Sequence, residues 1–146
     1  MRVWRISNHA DLSGLGGTLV SGRWHHAGRP ILYTAEHPAA AMLEMLAHMD
    51  RADIPDNYQL LAIDIDEPFA REELKRDALT SDWRDTPAVT RGVGDAWLRS
   101  NASLALRVPS ALAPQSWNYL INPRHADMAR ARIAQIEKAA IDQRLR

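Results

Sequence analysis

The chain has 146 residues, no cysteine, and 18 basic against 18 acidic side chains. That length, with 46% hydrophobic residues, fits one domain spanning 1–146 that buries its own core without a disulfide or metal staple. The missing cysteine excludes a disulfide scaffold, a thiolate zinc site and a cysteine nucleophile, and the balanced charge removes the bulk electrostatic basis for direct nucleic-acid binding.

No stretch approaches the roughly 18 apolar residues of a membrane span. The opening MRVWRISNHADL is polar and mixed, so no secretory signal is expected and the cytoplasm is the expected compartment. Five Trp stand against three Tyr and one Phe. Trp carries an N–H that seeks a partner, so these residues are either half-buried core or the lining of pockets and interfaces.

Val3–Ile6 alternates and predicts a strand, with Val3 and Arg5 on one face and Trp4 and Ile6 on the other. Gly14–Gly28 holds five of the seven glycines and predicts a long loop. Pro30 leads into a short strand at Ile31–Thr34. Pro38 suits a first helical turn, and Ala39–Met49 is rich in helix formers. Tyr58–Asp66 alternates, with Leu61, Ile63 and Ile65 sharing one face. Glu67–Arg99 is polar, with one predicted helix around Asp95–Arg99. Leu104, Leu106 and Val108 mark a further strand closed by Pro109, and Tyr119–Ile121 another. The tail from Ala126 favours helix by propensity, although Ala129–Ile136 also reads as an alternating strand. There is no repeat and no linker, so the expectation is a single compact α+β domain.

On a helical wheel, Met42, Leu43, Met45, Leu46 and Met49 form an apolar arc and Glu44 lies opposite, among Ala40, Ala41, Ala47 and His48. Glu44 is then either a solvated charge on an amphipathic helix or a functional carboxylate that another element approaches across small alanines. Arg5 is either an edge-strand charge or a clamp for phosphate or carboxylate. Arg23 follows glycine-rich backbone and suits the same task. There is no P-loop, no G-x-G-x-x-G and no G-x-S-x-G. His25 and His26 are adjacent and point apart, so no metal site is expected. Ser110, Asn118 and Asn122 sit at strand ends, where polar residues act as turns or caps or line sites.

Arg5-Ile6, Ser21-Gly22-Arg23-Trp24, Gly28-Arg29-Pro30-Ile31-Leu32-Tyr33-Thr34-Ala35-Glu36, Ala41-Met42-Leu43-Glu44, Val108-Pro109-Ser110-Ala111 and Asn118-Tyr119-Leu120-Ile121-Asn122-Pro123-Arg124-His125 follow one another in order. Taken together they resemble the RES-domain family, named for an Arg, a Glu and a Ser, over nearly the whole chain. The resemblance implies a fold similar to ADP-ribosyltransferases. It implies the toxin of a bacterial type II toxin–antitoxin pair, partnered by an Xre-type antitoxin. It also implies NAD+ as substrate, degraded by hydrolysis or phosphorolysis or used to ADP-ribosylate a protein. By motif position Arg5, Glu44 and Ser110 (with Ser116 nearby) are the naming residues, and Arg23, Tyr33 and Asn118 further pocket positions.

Two departures stand out. The family pattern Gly-Gly-Arg-Trp-Asn is here Ser21-Gly22-Arg23-Trp24-His25, and the family's close is matched by Ile141-Asp142-Gln143-Arg144-Leu145, which favours strand in the preceding tail. In the implied chemistry Glu44 steadies an oxocarbenium-like ribose and Arg5 and Arg23 hold the pyrophosphate. Tyr33 stacks on nicotinamide, and Ser110 hydrogen-bonds substrate. The competing readings are a non-catalytic interaction module of the same fold and a toxin that acts on RNA.

Overall fold

A computed structural model describes residues 1–146. Seven strands form one mixed sheet in the order β4-β5-β6-β2-β1-β3-β7. They are β1 (Arg2–Ile6), β2 (Leu32–Ala35), β3 (Asn57–Ile65), β4 (Arg71–Glu73), β5 (Ala105–Pro109), β6 (Trp117–Ile121) and β7 (Ala131–Ala140). Three α-helices accompany them: α1 (Gly16–Leu19), α2 (Pro38–Ala47) and α3 (Pro87–Ser100). No helix is long and apolar enough to cross a membrane.

The alternation predicted for β3 holds, because Leu61, Ile63 and Ile65 are almost wholly buried with Val3, Leu32 and Ile121 in a core on one face of the sheet. The other face carries Leu106, Val108 and Leu120, packed under Trp24, Trp83, Trp97 and Leu98. Three of the five Trp therefore lie in the core, which removes Trp83 and Trp97 from any docking surface. The Trp97 indole N–H donates to Ser103 Oγ at 2.8 Å, so its polar handle is satisfied inside.

Three local expectations are corrected. The glycine-rich stretch is not all loop, since α1 forms inside it. The polar segment after residue 67 contains β4, whose residues are all exposed and carry no hydrophobic signal. It also contains the whole of α3, not only Asp95–Arg99. Gly92 and Gly94 mask α3, because glycine disfavours helix by about 1 kcal/mol. The tail, which propensity alone reads as helix and the resemblance as strand, is the strand β7: it pairs antiparallel with β3 from Ile65↔Ala131 to Asn57↔Ala140, and the available sheet edge overrides propensity.

Gly94 has a packing reason. A Cβ there would overlap the carbonyl of Trp24, in the loop that α3 covers. Gly94→Ala is therefore expected to destabilise by about 1–3 kcal/mol, or more if backbone must move, although helix propensity alone predicts a gain. Denaturant unfolding of the two proteins checks the sign.

Candidate active site

One cavity of about 430 Å³ opens between the sheet, α2 and the Gly14–Gly28 loop, within the size range of small-molecule sites. It is lined from β1 by Trp4, Arg5 and Ile6, from β2 by Tyr33, Thr34 and Ala35, and from β6 by Asn118. Ala41, Glu44, Met45 and His48 face it from α2, and Gly17, Gly22, Arg23, Trp24 and His25 from the loop.

Helix α2 explains how Glu44 gets there. His37 caps the helix, its Nδ1 accepting from the Ala39 N–H at 3.2 Å, and Pro38 occupies the first turn. Residues 41, 44, 45 and 48 share one face at i, i+3, i+4 and i+7 spacing. That face turns toward β1 and β2, and Ala41 is the one buried residue of the helix. The inward side thus carries Ala41 and Glu44 together with Met45 of the apolar arc, while Ala47 is exposed. Leu43 and Met49, on the arc that amphipathic logic sends to the core, are 41% and 39% exposed. Glu44 is therefore not a solvated charge on the outer face.

Its carboxylate is held from behind. Glu44 Oε1 accepts from Asn118 Nδ2 at 2.7 Å and from Ser110 Oγ at 3.3 Å. Glu44 Oε2 takes no hydrogen bond from the protein. A carboxylate only accepts, so the Asn118 amide must present its NH₂ to Glu44, which leaves Asn118 Oδ1 buried with no partner. Ser110 is 4% exposed and does not line the cavity. Its oxygen also accepts from the backbone N–H groups of Leu112 and Ala113 at 3.1 and 3.2 Å. Its one O–H thus goes to Glu44 and its lone pairs to the two N–H groups. Ser116 lies elsewhere, its Oγ on Glu36 at 3.4 Å.

Arg5 departs from ordinary alternation. It shares a strand face with Val3, yet β1 and β2 pair only at Trp4↔Ala35 and part beyond it. The guanidinium lines the cavity there, with a single long bond to the Tyr33 carbonyl at 3.5 Å. Its Nε is buried without a partner, and burial holds its pKa below the ordinary arginine value, against a weaker opposite pull from Asp11. No carboxylate forms an ion pair with it. A desolvated guanidinium of this kind is costly unless an anion meets it.

Arg23 donates to the Arg84 carbonyl at 3.0 Å, and Arg91, absent from the expectations, donates to the Gly22 carbonyl at 2.8 Å. Neither has a carboxylate partner, so the loop edge of the cavity is cationic. Tyr33 is held by its hydroxyl as well as its backbone, and burial raises the phenol above its ordinary range, so it stays a donor at neutral pH. His25 and His26 do diverge: His25 is buried beside Tyr33, and His26 pairs with Asp95 at 2.6 Å. Sequence reasoning missed Arg91, which stands behind the cavity on the carbonyl of its lining residue Gly22, and it missed Trp4 and Thr34 as lining residues. The alternation of β1 and β2 puts these two on opposite strand faces, so pattern alone carries no signal for both.

The RES domain family model matches residues 2–142. A protein named Toxin Res from Pseudomonas putida is 46% identical over 147 residues, covering 99% of both chains. A protein named Prs ADP-ribosylating toxin, from a Sphingobium species, is 34% identical over 152 residues, covering 97% of this chain and 94% of that one. A Toxin Res from Yersinia enterocolitica is 37% identical over 131 residues, covering 86% of each. The chain belongs to the RES-domain family. Its one mixed sheet with few helices fits the α+β, ADP-ribosyltransferase-like fold that the resemblance implies.

Proposed function

We propose that this RES-domain chain is the toxin of a bacterial type II toxin–antitoxin pair and consumes NAD+ by breaking the bond between nicotinamide and ribose. One observation carries the reading: a half-buried guanidinium without an anion and a carboxylate with one free oxygen share a single cavity. NAD+ offers the complement of both, a pyrophosphate and a ribose that gains positive charge at C1′ as the bond breaks.

In this reading the glycosidic bond cleaves with its electron pair leaving on the nicotinamide nitrogen. The departing ring is neutral, so no general acid is needed. Glu44 Oε2 faces the developing oxocarbenium or holds a ribose hydroxyl, and the low-dielectric site strengthens that interaction. Asn118 and Ser110 aim the carboxylate through Oε1. Arg5 and Arg23 take the pyrophosphate by forked, charge-assisted bonds. Tyr33 walls the nicotinamide side. Water, giving up a proton, or phosphate then attacks C1′, giving ADP-ribose or its phosphate ester at that same carbon. An Xre-type antitoxin is the proposed protein partner and the cytoplasm the proposed compartment.

The relative named an ADP-ribosylating toxin favours a second reading, in which a protein side chain is the acceptor. All three routes share the first bond cleavage. Mass spectrometry of the products from purified protein and NAD+, with and without phosphate and with cell extract added, separates them. Free ADP-ribose or its phosphate is the expected product. ADP-ribose found only on a protein selects the second reading, and intact NAD+ under all conditions overturns both.

A further inference from the structure

We infer that His25 is a positioning residue for the substrate pocket, holding the Tyr33 ring in place through its Nδ1; the inference rests on the NAD+ reading above and adds a residue to it. His25 is 1% exposed, and its two ring nitrogens have different partners. Nε2 lies 2.9 Å from the carbonyl oxygen of Gly17. A carbonyl can only accept, so Nε2 carries the ring proton. Nδ1 is then the acceptor, and two donors point at it: the Tyr33 hydroxyl at 2.7 Å and the Gly22 N–H at 3.3 Å. The Tyr33 oxygen in turn accepts from the Trp24 N–H at 3.1 Å. Every polar atom of the pair is satisfied, so the Tyr33 ring has one orientation and cannot swing without leaving a buried group unpaired.

The glycines on either side confirm how tightly the pair is wrapped. A Cβ on Gly22 would overlap the Tyr33 hydroxyl, and a Cβ on Gly17 would stand 3.1 Å from His25 Nε2 and 2.7 Å from the Arg29 carbonyl. Tyr33, Gly17 and Gly22 all line the cavity, so this relay ties the loop wall to β2. The departure at residue 25 is thereby explained: an Asn side chain also presents an acceptor where Nδ1 stands, but cannot reach Gly17.

Two isosteres separate the halves of the relay. His25→Asn keeps an acceptor for Tyr33 and loses the Gly17 bond. His25→Gln places an amide N–H near Gly17 and removes the acceptor. If His25 acts through Tyr33, His25→Gln raises KM for NAD+ about tenfold with kcat within about twofold, because a ring wall binds ground and transition states alike. His25→Asn recovers most of that loss. Tyr33→Phe gives a similar rise, and combining it with His25→Gln adds nothing further. Additive effects, or Asn worse than Gln, would mean that His25 only anchors the loop and would overturn the inference.

Nitrogen-15 spectra of the wild-type imidazole supply a readout that needs neither variants that fold nor NAD+. The expected form is the Nε2–H tautomer, with Nδ1 as acceptor. A proton on Nδ1 overturns the relay. A wild type that leaves NAD+ intact sinks the functional reading instead, while the imidazole spectrum still decides whether the relay exists.

Discussion

Glu44→Gln is expected to lower kcat for nicotinamide release by on the order of 100- to 1,000-fold while the protein stays folded. The substitution is nearly isosteric. Its amide oxygen still accepts from Asn118 Nδ2 and Ser110 Oγ, which both bind Glu44 Oε1 in the wild type. What changes is the second oxygen, the one without a protein partner, which becomes an NH₂ donor of no charge. A donor cannot steady a developing cation. The loss therefore falls on kcat, and KM and the melting temperature stay near their wild-type values. Steady-state kinetics beside a thermal melt check both halves. A variant that melts early would instead assign Glu44 to the fold.

Arg5→Met is expected to move activity and stability in opposite directions. The guanidinium has a buried, unpartnered Nε, one long hydrogen bond to the Tyr33 carbonyl at 3.5 Å, and a pKa depressed by burial. Replacing such a charge by an apolar side chain of similar size relieves desolvation, and a gain of about 1–3 kcal/mol in unfolding free energy is expected. Substrate affinity falls by about 100-fold, since each charge-assisted bond to phosphate is worth about 1.5–3 kcal/mol. Arg5→Lys keeps the charge but not the fork, so it is expected to recover only part of the affinity. Denaturant unfolding and NAD+ titration test the pair of outcomes. A destabilised Arg5→Met that still binds NAD+ would show the charge to be structural. Sites strained for function commonly show this opposition between stability and activity.

Much of the sheet was legible because burial on one face leaves alternation behind. Leu61, Ile63 and Ile65 in β3 and Leu106 and Val108 in β5 are the clear cases. The polar strand β4 and the glycine-bearing α3 were not, since neither needs a hydrophobic pattern to find its partner. Helix α2 was legible as a helix and misleading in orientation. Leu43 of its apolar arc stays 41% exposed, while the face shared by Ala41, Glu44 and Met45 turns to the cavity.

The candidate site divides in the same way. Physical reading of the residues left Arg5 and Glu44 with a bland alternative each, and the resemblance to a known family supplied the set. The structure gathers Arg5, Arg23, Tyr33, Glu44 and Asn118 on one wall system and moves Ser110 behind Glu44. The role of His25 depends on a carbonyl eight residues away at Gly17 and a hydroxyl eight residues away at Tyr33. No local pattern encodes either distance, so only the folded loop reveals it.

Free nicotinamide released from NAD+ by the purified chain, followed over time beside Glu44→Gln, bears on the whole reading at once. Steady release by the wild type, with the variant near background, is the expected outcome. NAD+ that stays intact with folded wild-type protein, or equal release by both proteins, would show that this cavity does not perform the proposed cleavage.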